Sequence, residues 1–250
     1  MTHEAFTGKR VLVTGAGRGI GSAIAEAFAH QGAIVGVHYR SSATLATKLA
    51  ERLRLAGCGV ELVEGDLLDP KVRRDLVPRF MSLCGGIDVL VNNAGAVIKA
   101  AHCMDVEEDI WQQSFDLNVT APFVLGRAAM RAMQRQHWGR IINISSIGVK
   151  YGGSAHTLHY SAAKAALEAI TVGLAKVGAE WNILVNAVRP GIIETQLHGH
   201  TPPDDFRRRV ELIPLKRPGT PEDVAAMVLF LASPAGDFIT GQVFAVSGGD

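Results

Sequence analysis

RVLVTGAGRGIG, Arg10 to Gly21, is the stretch that decides the fold of this chain. Its first half is an apolar, β-branched run, a pattern typical of a strand that is buried on both faces. Its second half carries glycines at 15, 17, 19 and 21 and runs directly into an Ala-rich segment with helical periodicity. The stretch therefore predicts a buried strand, a tight turn and a helix, in that order.

The same alternation continues along the chain. Helical patterns, several of them ended by glycine, separate the apolar runs. Seven strands are expected, at RVLVT, IVGVHY, VELVEG, IDVLVN, RIINIS, ILVNAV and QVFAV. Strands that alternate with helices form a parallel sheet covered on both sides. We predict an α/β fold with a doubly wound, parallel, seven-stranded sheet in a single domain over residues 1–250.

Composition and charge exclude several classes of protein. Apolar residues make up 48% of the 250 residues and the formal net charge is +1, so neither a basic nucleic-acid surface nor a membrane surface is indicated. Cys58, Cys84 and Cys103 are widely spaced, which argues against a disulfide framework and a zinc site. The N-terminus lacks the apolar stretch of a signal peptide. We expect a soluble, reduced, cytoplasmic protein with no metal.

The glycine turn has two interpretations. Gly15, Gly17, Gly19 and Gly21 permit positive φ and let the backbone approach a pyrophosphate at a helix N-terminus. The alternative is a tight turn that binds nothing. Four alternating glycines directly after a buried strand argue against this alternative. The spacing does not fit G-x-G-x-x-G. It fits T-G-x-x-x-G-x-G instead.

HYSAAKAAL, His159 to Leu167, also has two interpretations. On a helix, Tyr160 and Lys164 lie on one face, about 6 Å apart. The pair is either a surface Tyr that covers a Lys stem or an acid–base pair. Lowering a Tyr pKa from 10 to 7 takes about 4 kcal/mol. The Lys164 ammonium in a partly dehydrated cleft can supply much of that.

Further motifs stand in a fixed order between and beyond these two. They are NNAG at Asn92 to Gly95, DLNV with Asn118, NISS with Ser146, RPG at Arg189 to Gly191, Thr195, and TGQVFAVSGG near the C-terminus. Together with the glycine turn and the Tyr160–Lys164 pair, the whole set resembles the classical short-chain dehydrogenase/reductase family. The resemblance is greatest to the 3-oxoacyl-carrier-protein reductases and the related carbonyl, sugar and polyol reductases.

The resemblance implies a Rossmann-type fold and hydride transfer between a nicotinamide dinucleotide and a carbonyl or secondary alcohol. It assigns Tyr160 as the acid or base, Lys164 as its neighbour that also holds the nicotinamide ribose, and Ser146 as a hydrogen-bond donor to the substrate oxygen. It gives Asn118 the support of a water chain. The implied partner is a small-molecule substrate, and the implied assembly is a homotetramer.

The resemblance also implies the cofactor-binding residues. They are Gly15, Gly17, Arg18, Gly19, Ile20, Gly21, Tyr39, Arg40, Ser41, Asp66, Leu67, Asn93, Ala94, Gly95, Tyr160, Lys164, Pro190, Gly191, Ile193 and Thr195. Asn92 and Gly95 are expected on the adenosine side. Asp66 has a second interpretation as a helix N-cap. Ser145 should point away from Ser146 and hydrogen-bond locally.

The cofactor preference follows from a missing acid. An NAD-specific site needs a carboxylate at the end of the second strand. No Asp or Glu occurs between Ala27 and Ala50, and Tyr39 and Arg40 stand where the acid should be. A guanidinium binds a 2′-phosphate well, although Arg40 and Arg18 have the alternative of being solvated surface residues. We predict that NADP(H) is preferred and that NAD(H) remains possible.

Residues 192–220 break the rhythm and are predicted to form a substrate lid. Its RRR run, 207–209, is better explained as a solvated face than as a site for an acidic substrate. His198 and His200 in this segment lack a third metal ligand, while His156 and His159 are expected on the rim or surface, with contact to the substrate as the alternative. Thirteen residues separate Ser146 from Tyr160, which suggests an altered substrate rim.

Other functions compete with an NADP-dependent reductase. One is an NAD-dependent sugar or polyol dehydrogenase. Another is a dinucleotide-sensing regulator without turnover, which would not need Ser146, Tyr160 and Lys164 together. A sugar-nucleotide epimerase or dehydratase would need a further C-terminal substrate domain, for which the sequence up to Asp250 leaves no room.

Overall fold

The computed structural model describes residues 5–195 and 203–250. It contains one parallel sheet of seven strands in the order β3-β2-β1-β4-β5-β6-β7. The strands are β1 (Arg10–Val13), β2 (Ile34–Tyr39), β3 (Val60–Glu64), β4 (Val89–Asn92), β5 (Gly139–Ile144), β6 (Ile183–Pro190) and β7 (Val243–Val246). All seven predicted strands are present, and the predicted doubly wound parallel sheet is confirmed.

Nine α-helices connect and cover the strands in the described part of the chain. They are α1 (Gly19–Ala29), α2 (Ala43–Leu55), α3 (Pro70–Cys84), α4 (Glu108–Phe115), α5 (Ala121–Gln136), α6 (Gly148–Tyr151), α7 (Leu158–Gly178), α8 (Pro203–Leu212) and α9 (Pro221–Ala232). A π-helical segment, Asp116–Thr120, joins α4 to α5. None of the described helices is long and apolar enough to cross a membrane.

The two faces of the sheet carry separate cores. Val11 and Val13 of β1 face α1, α2 and α9, where Phe28 and Val228 are fully buried. Leu12, between them, faces α3, α5 and α7 in the second core. This alternation follows from the period of two along a strand. It explains why every residue of β1 except the first had to be apolar.

The chain reverses its direction of winding at β1. The strand β1 pairs with β2 on one side and with β4 on the other. At such a switch point the loops beyond the carboxyl ends of the strands part and leave a crevice. The glycine turn after β1 and the NNAG loop after β4 therefore form opposite walls of one cleft.

The predicted lid is described in part. Ile193 pairs with Gly219 in an isolated parallel bridge, and α8 lies between them in the chain. Residues 196–202, with His198 and His200, lie outside the described residues. The closing and opening of this segment stays a prediction.

Candidate active site

A cleft of about 1590 Å³ runs along the carboxyl edge of the sheet. Its volume exceeds the ~300–1,000 Å³ of an ordinary small-ligand pocket, so the cleft has room for more than one small molecule. Nearly all of the predicted cofactor-binding and catalytic residues line it. The two exceptions are Gly17 and Asn118, which pack against the lining residues Ser42 and Gly95, respectively.

The glycine turn uses its glycines in two ways. Gly15 and Gly19 have φ of 63° and 58°, the left-handed region that favours glycine. Gly17 and Gly21 lack positive φ, but a Cβ there would overlap Ser42 and Asn93, respectively. The helix α1 begins at Gly19 and has no side-chain cap and no acid in its first turn. Its positive end therefore faces the cleft and is suited to phosphate.

The NNAG loop is tied to β1 through Thr14. The Thr14 hydroxyl oxygen accepts hydrogen bonds from the backbone N–H groups of Asn93 and Ala94, each at 3.0 Å. Asn93 Nδ2 in turn donates a hydrogen bond to the Thr14 carbonyl at 2.8 Å. Asn92 points the other way and donates to Asn143 Oδ1 at 2.9 Å inside the core. The expectation that Asn92 lines the adenosine side was wrong, because adjacent residues at a strand end face opposite ways.

The end of the cleft beside β2, which is the predicted adenosine end, carries two exposed guanidiniums. Arg18 and Arg40 are both exposed there, and neither forms an ion pair with any described residue. Asp66 lines the same end, and its Oδ1 accepts the Leu68 N–H at 2.9 Å. The N-cap of α3 is Asp69, so the N-cap interpretation of Asp66 was wrong.

The end of β5 is bonded to α7 at three successive residues. Lys164 Nζ donates to the Ile144 carbonyl at 2.7 Å. Ser145 Oγ donates to Glu168 Oε1 at 2.5 Å, and Ser146 shares a hydrogen bond with the Tyr160 hydroxyl. The helical partners are four residues apart, so they lie on one face of α7. We call this set of contacts the β5–α7 ladder.

Sequence reasoning missed the cluster that Ser145, Glu168 and Arg189 form. Glu168 is buried and accepts from Arg189 Nε at 2.6 Å as well as from Ser145. The local hydrogen bond expected for Ser145 was wrong, because its acceptor lies 23 residues away. The available signal was the position of Glu168, two further turns along the face of Tyr160, together with the Arg of the RPG motif.

Burial sets the pKa values of the central pair. It lowers the pKa of Lys164 to about 8. It also raises the pKa of Tyr160 above its usual value, and the hydrogen bond with Ser146 opposes this rise only in part. Lys164 Nζ lies 5.7 Å from the centroid of the Tyr160 ring. The protein's own groups therefore do not lower the Tyr160 pKa as predicted, since desolvation outweighs the hydrogen bond with Ser146.

Asn118 sits in the π-helical segment with its side chain buried. Nδ2 donates to the carbonyls of Ala96 and Ser114 at 3.0 and 2.9 Å, and Oδ1 accepts the Ala96 N–H at 3.2 Å. A Cβ on Gly95 would lie 2.7 Å from Asn118 Oδ1 and 2.8 Å from Lys164 Nζ. Asn118 thus holds the loop after β4 against the ladder, and π-helical turns are common at functional sites.

The two histidines before Tyr160 differ from each other. His156 is exposed and lines the cleft, and its ring contacts His102 edge to face. His159 is buried, so the expectation of a rim or surface position was wrong for this residue. Its helical position turns it towards the protein interior, away from the face of Tyr160.

Comparison with known proteins places this geometry in a family. Residues 15–250 match the family model described as enoyl-(acyl carrier protein) reductase. A 3-oxoacyl-[acyl-carrier-protein] reductase of Aquifex aeolicus is 39% identical over 245 residues, which cover 97% of each chain.

Solved structures resemble this chain over nearly the same length. A blue fluorescent protein from a metagenomic library, in complex with NADPH, is 36% identical, with a TM-score of 0.90 and coverage of 97% of this chain and 98% of that one. A short chain dehydrogenase from Burkholderia cenocepacia, in complex with NADP, is 34% identical, with a TM-score of 0.90 and coverage of 98% and 99%. The chain belongs to the short-chain dehydrogenase/reductase family of oxidoreductases.

Proposed function

We propose that this protein is an NADP(H)-dependent carbonyl reductase that acts on a 3-oxoacyl thioester or on a small ketone or sugar. The observation that carries the proposal is the β5–α7 ladder, which fixes Ser146, Tyr160 and Lys164 along one wall of a cleft long enough for two ligands. The similarity to 3-oxoacyl-[acyl-carrier-protein] reductases supports the thioester as the first substrate to test.

The residues of the cleft fit a nicotinamide dinucleotide phosphate. The Gly15 and Gly19 turn and the uncapped start of α1 would hold the pyrophosphate. Arg18 and Arg40 would hold the 2′-phosphate, with Tyr39 in place of the carboxylate that an NAD-specific site uses. Relatives solved with NADPH and NADP support the same preference.

Thr195 closes the other end of the glycine turn. Its Cγ2 lies 3.5 Å from where a Cβ of Gly19 would stand, and Ile193, Pro190 and Gly191 line the cleft beside it. These residues would surround the nicotinamide. When bound, the reduced cofactor supplies the hydride for the carbonyl carbon.

The proton for the carbonyl oxygen would come from Tyr160. A raised pKa keeps the Tyr160 hydroxyl protonated at neutral pH, which is the form that a reduction requires. Ser146 would donate a hydrogen bond to the same oxygen and orient it. Lys164 has a pKa of about 8 and can therefore exchange a proton near neutrality, which suits it to reprotonate Tyr160 through water.

The test is consumption of NADPH with a panel of 3-oxoacyl thioesters, ketones and sugars. We expect turnover with at least one carbonyl class, and faster turnover with a carrier-protein thioester than with a free ketone if the substrate is an oxoacyl group. Binding of NADPH without turnover of any carbonyl class would favour the dinucleotide-sensing regulator instead.

We further propose that the protein is a symmetric homotetramer. Apolar side chains remain exposed on α4, α5 and α7. They include Trp111, Phe123, Val172 and Val177, and the Trp111 ring stacks on that of Phe115. Exposed apolar patches of this kind mark interaction surfaces, and twofold contacts are the commonest way to cover them. Light scattering at micromolar concentration should give four times the mass of the chain, and a monomeric mass would contradict the proposal.

A further inference from the structure

His38 of β2 forms hydrogen bonds to two different walls of the cleft. Its ring is almost wholly buried. Nδ1 accepts the backbone N–H of Gly15 at 3.1 Å, and Nε2 lies 3.1 Å from the Gly65 carbonyl. A carbonyl can only accept, so Nε2 carries the proton and Nδ1 is left as the acceptor. The two neighbours thereby select one neutral tautomer.

Backbone bonds at the same place reinforce this link. Ala16 N–H donates to the His38 carbonyl at 2.7 Å, and Gly65 N–H donates to the Tyr39 carbonyl at 3.0 Å. The glycine turn and the loop after β3 are thus both attached to the end of β2. Gly15 and the Gly65–Leu67 loop line the cleft, where they would contact the phosphates and the adenine side of a dinucleotide.

The surroundings keep His38 uncharged. Its pKa is lowered to about 4, chiefly by burial and also by the nearby Arg79, and the Gly65 carbonyl and Asp66 oppose these effects only in part. A second proton on the ring would turn Nδ1 into a donor that faces the Gly15 N–H, so the bond to the glycine turn exists only in the neutral form.

We propose that His38 is a positioning residue for the cofactor, whose neutral imidazole fixes the separation between the glycine turn and the Gly65–Leu67 loop. The proposal rests on the proposed NADP(H) dependence. The side-chain hydrogen bonds of His38 go to Gly15 and Gly65, and neither goes to Arg18 or Arg40. Removal of His38 therefore weakens NADPH and NADH binding by the same factor, whereas loss of Arg40 changes the ratio between the two.

Three substitutions separate the two hydrogen bonds. His38→Asn can keep an acceptor at the Nδ1 position for Gly15, and His38→Gln can keep a donor at the Nε2 position for Gly65. His38→Leu fills similar space and keeps neither. His30→Gln, at an exposed position just beyond α1, is the matched control.

The experiment measures the Kd of NADPH and NADH by titration of cofactor fluorescence at neutral pH, together with thermal unfolding. His38→Leu should weaken both cofactors by roughly ten- to hundredfold with an unchanged ratio, as expected when a buried donor and a buried acceptor lose their partners. His38→Asn and His38→Gln should each weaken cofactor binding less than His38→Leu does. At saturating NADPH, kcat should stay near that of the wild type while KM for NADPH rises, and His30→Gln should change none of these values.

A folded His38→Leu protein with wild-type Kd values would overturn the proposal. So would a changed NADPH to NADH ratio, because it would place the effect at the 2′-phosphate. If His38→Leu does not fold, the Asn and Gln variants decide the matter, and wild-type affinity in both would overturn it equally. A wild-type protein that binds neither cofactor would instead contradict the proposed function.

Discussion

The two ends of the cleft are built in opposite ways. At the catalytic end, the β5–α7 ladder commits each polar side chain to a partner inside the protein, as with Lys164 on the Ile144 carbonyl and Ser145 on Glu168. At the adenosine end, Arg18 and Arg40 are exposed and form no ion pair among the described residues. In the proposed function, chemistry would therefore depend on side chains whose positions are fixed, while cofactor selection would depend on side chains that are open to a ligand.

The largest effect should come from the catalytic end. Tyr160→Phe removes the proton donor while keeping the ring that packs in the cleft. We expect kcat to fall by roughly 10²–10⁴-fold, the loss typical of general acid catalysis. Steady-state rates with saturating NADPH measure it, and circular dichroism checks the fold. Near-wild-type turnover, where chemistry limits the rate, would refute the role given to Tyr160.

The adenosine end should respond in selectivity instead. Tyr39→Asp combined with Arg40→Leu adds a carboxylate for a ribose hydroxyl and removes the guanidinium for a 2′-phosphate. One charge-assisted contact contributes about 1.5–3 kcal/mol, so the wild type should favour NADPH by roughly ten- to hundredfold and the double variant should favour NADH. The measurement is kcat/KM for both cofactors on one carbonyl substrate. A wild-type preference for NADH would contradict the expected selectivity.

Glu168 tests whether the ladder also stabilises the fold. Glu168→Ala leaves Ser145 Oγ and the Arg189 guanidinium without their acceptor. We expect the free energy of unfolding to fall by about 2 kcal/mol, measured in urea. Glu168→Gln keeps an acceptor for Ser145 and should lose less, and Glu180→Ala, at an exposed site, should lose nothing. Equal stability of the Ala and Gln variants would show that the Ser145 bond contributes little.

The smallest effect that we expect near neutral pH is the change of the catalytic rate with pH. Lys164 has a pKa of about 8, and its ammonium stabilises the phenolate left when Tyr160 gives up its proton. Reduction should therefore slow as the pH rises through about 8, where Lys164 becomes neutral. In Lys164→Arg, whose charge does not titrate there, the limb should vanish from the kcat/KM profile. A wild-type profile that is flat through this range would show that Lys164 does not control the rate there.

Most of the fold was accessible from the sequence because its signals are local. A buried parallel strand needs a continuous apolar run, and RVLVT or ILVNAV shows this without reference to any other part of the chain. The pairing of Tyr160 with Lys164 on one helical face was equally local. These features require only the neighbouring residues for their interpretation.

The errors and the omissions concern contacts between distant parts of the chain. Ser145 finds its acceptor 23 residues later, and His38 links loops on two sides of its strand. The burial of His159 depends on which face of α7 meets the interior. The Tyr160 pKa was misjudged for the same reason, because the extent of desolvation is a property of the assembled cleft.

The π-helical segment at Asp116–Thr120 bears on which changes of length the chain can accept. A π-turn holds one residue more than an α-helical turn, so deleting one residue there would restore a continuous α-helix from Glu108 to Gln136. Because a π-turn accommodates its extra residue locally, the deletion would leave α4 and α5 nearly in register, but it would remove the wide turn in which Asn118 reaches the Ala96 carbonyl. A shorter and more regular helix would thus be gained at the expense of the buried contacts that join the loop after β4 to the catalytic wall.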